Sequence, residues 1–387
     1  MKILIVHNAY RQRGGEEAVV DAEAALLSSR GHEVRRHQRD NAEIDALSAP
    51  RLAAETLWSV RTTRDVGRLL ADFRPDVVHV HNTFPLISPS VYWAATRAGV
   101  PVVQTLHNFR WLCPQASFLR DGLPCEDCLG RLPWRGVARG CYRGSLAQTA
   151  LLTGMLAVHR AAGSYHDHIR RYIALAPFCR DKLIAGGLPA ERVVVKPNFV
   201  DLPPPTDGER AGGLFVGRVT IEKGIGTLLD AADRCATPLM VLGEGPELPR
   251  VLLHRNMIAR GALPPAEVYA AMRARAYLVV PSLAYEGFPR AVVEAFACGL
   301  PVIASRRGSL PDLIEHGRTG LLFEPGSSDA LAEQLLWADT HPGELREMGR
   351  RARAEYETRY TPEVNYRQLL RIYAEACGAQ HHEEAAA

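Results

Sequence analysis

The sequence predicts an α/β protein with two Rossmann-like parallel-sheet domains that face each other across a cleft. Short apolar strand patterns alternate with helical patterns along the whole chain. A proline-rich polar stretch interrupts this alternation near the middle. The length of 387 residues suits two hydrophobic cores, and the content of 47% hydrophobic and 23% charged residues is typical of a globular protein.

We expect residues 1–201 to form the first domain, with a Cys- and Arg-rich insertion at 109–145. Its strand patterns lie at Ile3–His7, Val77–Val80, Val100–Leu106, Ile173–Ala176 and Val193–Lys196, and its helical patterns include Glu16–Ser29, Ser88–Ala98 and Cys179–Ala185.

The second domain is expected at residues 213–360, after a linker at 202–212 whose three consecutive prolines cannot continue a strand or a helix. A last helical pattern at 361–378 is expected to cross back to the first domain. The strand patterns of the second domain lie at Leu214–Val216, Leu239–Leu242, Ala276–Val280 and Val302–Ala304.

A helix start with the features of a phosphate site follows the strand pattern at 276–280. The free amides of a first helical turn, together with the helix dipole, bind anions. Pro289 suits the first helical position but has no N–H. We therefore expect the backbone of Phe288, Arg290 and Ala291 to donate to the phosphates.

Two glutamates flank this helix start. Glu294 lies in the first two turns, where side chains lean toward the amino terminus, so its carboxylate could reach a ribose beside the phosphates. Glu286 lies in the preceding loop, where it could contact a sugar beyond the phosphates. An ordinary strand–turn–helix with two incidental glutamates is the alternative.

A pair of cations follows another strand pattern, which ends at Gly217. Arg218 comes next, and Lys223 lies at the start of the following helix. A diphosphate leaving group gains negative charge as the glycosidic bond breaks, and two fixed cations could stabilise it. The chain contains no Asp-x-Asp pair to hold a metal–diphosphate. We therefore expect a metal-independent site; two ordinary surface cations are the alternative.

Glycines and histidines follow the strands of the first domain. Gly14 and Gly15 open a helix, so the backbone there can approach a phosphate or a sugar closely. His107 ends a strand pattern on the expected cleft side and is the histidine best placed to contact the donor sugar. His79 and His81 end another strand pattern; histidines at such positions are as often structural as functional.

These residues together resemble the retaining glycosyltransferases of family 4, which have the GT-B fold. The resemblance covers nearly the whole chain and is strongest over residues 214–325. A departure is Phe199, where the family usually carries Gly. The matches are Glu286 and Glu294 to the E-x7-E element, Arg218 and Lys223 to the cationic pair, the segment containing Gly243 to a Gly-rich strand end, Gly14 and Gly15 to the glycine loop, and His107 to the active-site histidine.

The resemblance implies a metal-independent hexosyltransferase that uses a nucleotide-diphosphate sugar, a UDP- or GDP-sugar, and retains anomeric configuration. By analogy Glu294 binds the ribose, Glu286 and the backbone of Gly287 and Phe288 hold the sugar, and His107 contacts its 6-position. No carboxylate pair at nucleophile spacing is evident, so we expect a front-face displacement in which the leaving phosphate helps deprotonate the acceptor. The expected acceptor is a glycan or a lipid-linked precursor in polysaccharide biosynthesis.

Four of the eight cysteines lie within one 29-residue segment: Cys113, Cys125, Cys128 and Cys141. A C-x2-C pair flanked by single cysteines can close a tetrahedral thiolate site around zinc. Such a zinc would be structural, since four cysteine ligands leave no open position. The alternatives are four unrelated thiols in a mobile loop, and a redox or iron–sulfur role.

Residues 101–200 carry 13 Lys and Arg against 6 Asp and Glu. Because the insertion also contains several aromatic residues, it could receive a lipid-linked acceptor at a membrane surface; a solvated basic loop is the alternative. The chain starts directly with a strand pattern and has no apolar run long enough to span a bilayer. We therefore expect a cytoplasmic protein, and a contact with the inner face of the cytoplasmic membrane is a further expectation.

Three other functions stay open. A nucleotide-sugar epimerase or hydrolase on the same scaffold would process the donor without an acceptor. The twin β/α units also suit a nicotinamide-dependent oxidoreductase, although no G-x-G-x-x-G follows the first strand. The basic region suits nucleic acid, but no recognised nucleic-acid module accompanies it, so we expect no nucleic-acid partner.

Overall fold

The computed structural model describes residues 1–12, 14–205, 208–234 and 238–378. Within these residues the chain forms two six-stranded sheets in which all paired strands are parallel. This confirms the predicted α/β class with two parallel-sheet domains. Residues 206 and 207 of the predicted linker lie outside the described residues.

The first half of the chain builds one sheet, in the order β2-β1-β3-β4-β7-β8, and a small hairpin, β5-β6. Its strands are β1 (Lys2–Ala9), β2 (Glu33–Asp40), β3 (Val77–Asn82), β4 (Val102–Leu106), β5 (Leu119–Arg120), β6 (Leu123–Pro124), β7 (Arg171–Ala174) and β8 (Val193–Val195). Its helices are α1 (Gly15–Ser29), α2 (Ala49–Leu57), α3 (Val60–Phe73), α4 (Ser90–Arg97), α5 (Trp134–Ala138), α6 (Leu146–Ala161) and α7 (Pro177–Ala185).

The second half repeats the architecture, with the strand order β11-β10-β9-β12-β13-β14. Its strands are β9 (Gly213–Val216), β10 (Leu239–Leu242), β11 (Met257–Gly261), β12 (Tyr277–Val280), β13 (Val302–Ser305) and β14 (Gly320–Phe323). Its helices are α8 (Ile225–Ala232), α9 (Leu248–Leu252), α10 (Pro265–Ala274), α11 (Arg290–Ala297), α12 (Leu310–Leu313), α13 (Ser328–Thr340), α14 (Pro342–Arg359) and α15 (Pro362–Ala376).

The central strands are apolar because helices cover both faces of each sheet. In β1, for example, Leu4 belongs to the core on one face and Ile5 to the core on the other, and both are fully buried. In β12, Leu278 likewise belongs to the core on one face of the second sheet, and Val279 belongs to the core on the other face. Each domain is therefore a three-layer sandwich with its own pair of cores.

The strand order changes direction at one pair of neighbouring strands in each sheet, although all the strands are parallel. In the first sheet this switch lies between β1 and β3, and in the second it lies between β9 and β12. Loops that leave the carboxyl ends of such a pair run in opposite directions and open a crevice, which is where open parallel sheets bind ligands. The loops after these strands carry most of the residues predicted to form the site.

Helix α15 returns to the first sheet, as the fold prediction anticipated. Leu369, Ile372 and Tyr373 pack in the same core as Ile3 and Ile5 of β1. The helix is also fixed by polar contacts: Arg171 Nε lies 3.1 Å from Glu375 Oε2. The last described helix therefore completes one face of the first domain.

Candidate functional site

Lys223 and Glu286, two of the predicted site residues, form an ion pair at the switch of the second sheet. Lys223 Nζ lies 2.7 Å from Glu286 Oε1, and the Ser282 hydroxyl donates to the same oxygen. Burial raises the pKa of Glu286, but Lys223 and the hydrogen bond from Ser282 outweigh burial and keep that pKa below its ordinary value. The site therefore holds an ionised carboxylate beside a fixed ammonium.

Arg218 lies on the same loop but reaches into solvent. Its side chain is 72% exposed, and its Nη2 lies 3.4 Å from Glu222 Oε1. It is still close enough to lower the pKa of Glu286. An exposed pair of this kind contributes little to stability, so Arg218 is free to swing toward an anion in the cleft.

The predicted phosphate-binding helix start is the amino terminus of α11. Pro289 is the residue before the helix, with an extended backbone, and Arg290 is the first helical residue, one position later than predicted. The amides of the first turn have no partner inside a helix, so those of Arg290 and Ala291 face the loop before it. Phe288 packs its ring against the core beneath.

Glu294, one turn into α11, is paired with its neighbour on the same helix. Arg290 Nη2 lies 3.1 Å from Glu294 Oε1. Burial raises the pKa of Glu294, and the charge of Arg290 opposes this shift. A bound ribose would offer hydroxyl donors to a carboxylate that here has one guanidinium partner and a nearby Tyr269 hydroxyl.

Gly217 and Gly243 allow the ends of β9 and β10 to touch. Gly243 has a φ of 139°, and a Cβ there would lie 1.9 Å from the Gly217 carbonyl oxygen. Any side chain at this position would push the two loops apart. These glycines therefore shape the floor of the crevice at the second switch.

In the first domain, Glu17 fixes the predicted glycine loop. Its carboxylate accepts hydrogen bonds of 2.8 Å from the amides of both Tyr10 and Gly14. Burial raises the pKa of Glu17, but His7 and these amides lower it to about 2. The loop of Gly14 and Gly15 is thus held by one ionised side chain.

The two domains meet at the predicted residues. A Cβ at Gly15 would lie 3.4 Å from Arg290 Cδ, so the glycine loop approaches the start of α11 across the cleft. A Cβ at Gly287 would lie 3.5 Å from the His107 carbonyl oxygen. The structure therefore brings Gly15 to Arg290 and His107 to Gly287 across the cleft between the domains.

His107, after β4, is held by another histidine. Its Nε2 lies 2.9 Å from His81 Nδ1, and the two rings stack with centroids 5.2 Å apart. Burial lowers the pKa of His107 to about 3. The ring is therefore neutral at physiological pH, and it acts as a hydrogen-bonding group rather than as a cation.

The four cysteines of the insertion are free thiols, one before and three after the β5–β6 hairpin in sequence, and Cys113 and Cys128 are buried. The structure does not bring these four sulfur atoms together as a metal site. Among the described residues, Glu23, His79 and His81 form the one group of three or more His, Cys, Asp or Glu side chains whose ligand atoms all lie within 4.8 Å of one another. A closed zinc site has Zn–S distances of about 2.3 Å, so zinc binding would require these thiols to approach.

Several contributors were not predicted from the sequence. Ser282, the second residue after β12, bonds Glu286, and Glu17 holds the glycine loop. Glu23 and Lys196 form a buried pair behind the histidines. The available signal was a glutamate on the apolar face of α1, at the spacing of Val20, Ala24 and Leu27.

Two family profiles match the chain. "Glycosyl transferase 4-like domain" matches residues 14–198, and "Glycosyl transferases group 1" matches residues 211–339. Together they include the first-domain loop, the histidines and both halves of the candidate diphosphate site. They do not favour an epimerase or an oxidoreductase.

The chain is similar to curated glycosyltransferases. An uncharacterized glycosyltransferase of Methanocaldococcus jannaschii is 34% identical over 138 residues, which are 34% of this chain and 38% of that protein. A GDP-mannose-dependent alpha-mannosyltransferase of Mycobacterium tuberculosis is 31% identical over 271 residues, 67% of this chain and 63% of that protein. The chain spans 38%, 41% and 53% of the length of the first curated relatives that it matches.

Solved structures share the fold. Sucrose-phosphate synthase from Thermosynechococcus elongatus has a TM-score of 0.72 at 18% identity, over 98% of this chain and 100% of that chain. The Anabaena protein HepE in complex with UDP-glucose has a TM-score of 0.66 at 19% identity, over 96% and 98%. At these identities the likeness concerns the arrangement of the two domains.

Proposed function

This chain belongs to the family 4 glycosyltransferases of the GT-B fold, and we propose that it transfers a hexose from a nucleotide-diphosphate sugar to an acceptor hydroxyl with retention and without a catalytic metal. The observation that carries the proposal is the Lys223–Glu286 pair, 2.7 Å long, beside the start of α11. A fixed ammonium and a helix amino terminus can stabilise the negative charge that develops on a departing diphosphate.

The proposed roles follow from position. The α11 amides, Lys223 and a reoriented Arg218 would bind the diphosphate. Glu294 would exchange its contact with Arg290 for the ribose hydroxyls, and Glu286 would hold the sugar. The C1–oxygen bond to the diphosphate would break as the acceptor oxygen attacks from the same face, with a phosphate oxygen taking the acceptor proton.

The donor is proposed to be a UDP- or GDP-hexose. The Mycobacterium tuberculosis relative is described as GDP-mannose-dependent, and HepE was solved with UDP-glucose. These two descriptions support a nucleotide-diphosphate hexose and do not choose between the bases.

The acceptor is proposed to be a glycan or a lipid-linked precursor that meets the enzyme at an anionic membrane surface. No helix among the described residues is long and apolar enough to cross a membrane. The support for surface contact is a group of exposed apolar side chains among the arginines of the insertion and the start of α6. These side chains, which we call the apolar rim, are Leu123, Leu132, Trp134 and Leu146.

We propose further that the insertion binds a structural zinc through Cys113, Cys125, Cys128 and Cys141. Two observations support it. Burial raises the pKa of the Cys113 thiol, and the amides of Gln115, Ala116 and Phe118, which hydrogen-bond to its sulfur, oppose that rise, as donors to a metal-bound thiolate would. Ala116, Phe118, Asp121 and Arg143 have positive φ angles, a strained set that a metal could hold in place. Zinc would draw the thiols together.

The test is release of nucleoside diphosphate by the purified protein, first with UDP-glucose and GDP-mannose, plus a membrane extract as the acceptor source. Thermal-shift screening of nucleotide sugars would select the donor, since a ligand that binds the folded state raises Tm. We expect acceptor-dependent turnover that survives EDTA. Conversion of the donor by protein alone would instead indicate the epimerase or hydrolase, and loss of turnover in EDTA with the fold intact would contradict the metal-free mechanism.

A further inference from the structure

A buried polar cluster lies behind His107, on the side away from the cleft. It joins three elements of the first domain: the helix α1, the sheet, and the returning helix α15 that packs on the same face as α1. Each member is at most 4% exposed. The members are Glu23 of α1, His79 and His81 of β3, Lys196 just after β8, and Tyr373 of α15.

Glu23 and Lys196 form the charged part of the cluster. Lys196 Nζ lies 2.5 Å from Glu23 Oε1, and both side chains are 0% exposed. Burial of an unpaired charge is costly, and the close contact between the two groups offsets that cost. Burial and, in addition, the nearby charge of Lys196 lower the pKa of His79 and His81, so this charge also opposes a divalent cation at these histidines.

His79 is fully engaged within the cluster. Its Nδ1 lies 2.8 Å from the Tyr373 hydroxyl, and its Nε2 lies 2.8 Å from Thr105 Oγ1. The second oxygen of Glu23, Oε2, and His81 Nε2 are both buried without a hydrogen-bond partner, and they lie 3.6 Å apart. A small approach would join them, which leaves His81 as the natural partner of the Glu23 carboxylate.

We propose that Glu23 is a positioning residue that sets the protonation pattern of His107 through His81. The carboxylate keeps the His81 proton on Nε2. His81 Nδ1 then has a lone pair and accepts the hydrogen bond from His107 Nε2 over 2.9 Å. The proton of His107 is thereby fixed on Nε2, and its Nδ1 is bare.

This assignment requires neutral rings, and burial supplies that condition. Burial lowers the pKa of His107 to about 3 and moves the pKa of His81 well below its ordinary value. Each ring therefore carries one proton. Because a carboxylate only accepts, it fixes the order of the hydrogen bonds: His107 donates to His81, and His81 donates to Glu23.

The consequence concerns substrate recognition, and it rests on the proposed transferase function. A bare Nδ1 can accept a hydrogen bond and cannot donate one. His107 would therefore select a sugar or acceptor hydroxyl and disfavour a deoxy position there, where a buried acceptor would lose its partner.

The test reads the tautomer directly. Long-range ¹H–¹⁵N correlation spectra of the full chain with labelled histidine distinguish a bare ring nitrogen from a protonated one, and His107→Gln assigns the signal. We expect a bare Nδ1 at His107 in the wild type. A protonated Nδ1 in the wild type would overturn the proposal without any variant.

The variant is Glu23→Gln combined with Lys196→Met, which removes both buried charges together. A glutamine amide can donate to His81 Nε2 as well as accept from it, so either histidine ring can then be the donor in the hydrogen bond between His81 and His107. We expect a mixed tautomer at His107 and a kcat/KM about 10- to 100-fold lower, the size of loss seen when a group that orients a functional histidine is removed. Affinity for nucleoside diphosphate alone should change less than about twofold.

Tyr356→Phe is the matched control, because it removes a buried hydroxyl that bonds the Val200 carbonyl away from the histidines. It should leave the tautomer unchanged. A double variant with wild-type tautomer and kcat/KM would refute the role of Glu23. A bare Nδ1 in a protein that transfers no sugar would contradict the proposed function alone, since the spectrum requires no turnover.

Discussion

Lys223 and Glu286 come from different loops of the second domain, 63 positions apart in the chain, and their charged groups lie 2.7 Å from each other. This contact joins the loop after β9 to the loop after β12, the two neighbouring strands between which the strand order of the sheet changes direction. The pair links the two loops, and in the proposed function its ammonium would bind the diphosphate.

Lys223→Met should lower kcat/KM about 100- to 1,000-fold, the range found when one preorganised electrostatic donor is removed. Glu286→Gln should also be impaired, and the double variant should lose less than the sum of the two, because the partners act as one unit. Nucleoside diphosphate release measures this. Lys2→Met, at an exposed lysine of β1, is the control and should keep wild-type turnover.

Glu294→Gln should raise KM for the donor about 10- to 100-fold with a smaller change in kcat, because a hydrogen bond to a charged group contributes about 1.5–3 kcal/mol to binding. The specific check compares a nucleoside diphosphate with its 2′-deoxy and 3′-deoxy counterparts by calorimetry. Wild type should prefer the ribonucleotide, and the variant should lose that preference. An unchanged preference in Glu294→Gln would remove this residue from the ribose site.

Stability should fall as pH rises because of Glu16, whose pKa burial and the neighbouring charge of Glu17 raise to about 8. The folded state keeps the proton that the unfolded chain loses above its ordinary pKa of 4.5. The unfolded state then binds fewer protons, so stability declines by about 1.4 kcal/mol per pH unit until the folded pKa is passed. Glu16→Gln should remove this decline, as measured by urea unfolding from pH 5 to 9.

Glu17→Gln is the matched comparison, since Glu17 has the opposite shift. Its pKa of about 2 means that its stabilisation is complete above the ordinary pKa and is lost only as pH falls toward 2. This variant should be destabilised at every pH from 5 to 9 by a similar amount. Equal pH profiles for wild type and Glu16→Gln would show that Glu16 is already ionised in the folded protein.

The zinc proposal predicts one zinc ion per chain in protein purified without chelators, measured by inductively coupled plasma spectrometry. Cys128→Ser should lose the metal and lower Tm, because a structural metal contributes its binding energy to the folded state. Cys377 is an exposed thiol outside the insertion, so Cys377→Ser is the control and should retain the metal and the wild-type Tm. Substoichiometric metal in the wild type would end the proposal.

The apolar rim predicts binding to anionic vesicles. Leu132→Ser combined with Trp134→Ser should reduce co-sedimentation with phosphatidylglycerol vesicles about tenfold, since Trp134 is 61% exposed beside Arg131 and Arg135. Leu253→Ser is the control, at a leucine of the second domain that is 88% exposed. Equal loss in both variants would mean that exposed apolar area in general, rather than this rim, drives the association.

Most of the buried strands of both sheets were predicted, because strands covered on both faces are continuously apolar. The edge strands β2, β11 and β14 were not, although β14 is short, apolar and buried. In β2, the run Glu33–Asp40 is largely charged, since an edge strand of this sheet is partly open to water. Its pairing depends on β1, residue by residue from Lys2 to Ala9, and no local pattern in β2 reports that register.

The site was predictable where one loop carries the chemistry, as in the segment from Glu286 to Glu294. Contacts between residues far apart in the sequence were not predictable, because they depend on how separate segments pack. Glu23 and Lys196 are separated by 173 positions, and their pairing follows from the packing of α1 against the end of β8. A charged residue on an apolar helix face signals a buried partner but does not identify it.

The return of α15 has a consequence for synthesis on the ribosome. Residues 1–200 contain every strand of the first sheet, yet Leu369, Ile372 and Tyr373 supply part of its core. While the second domain is being translated, Ile3 and Ile5 lack this cover, and His79 lacks the tyrosine at its Nδ1. The buried polar cluster can therefore reach its final form only after α15 has emerged from the ribosome. The domain that is synthesised first is thus the last to be completed.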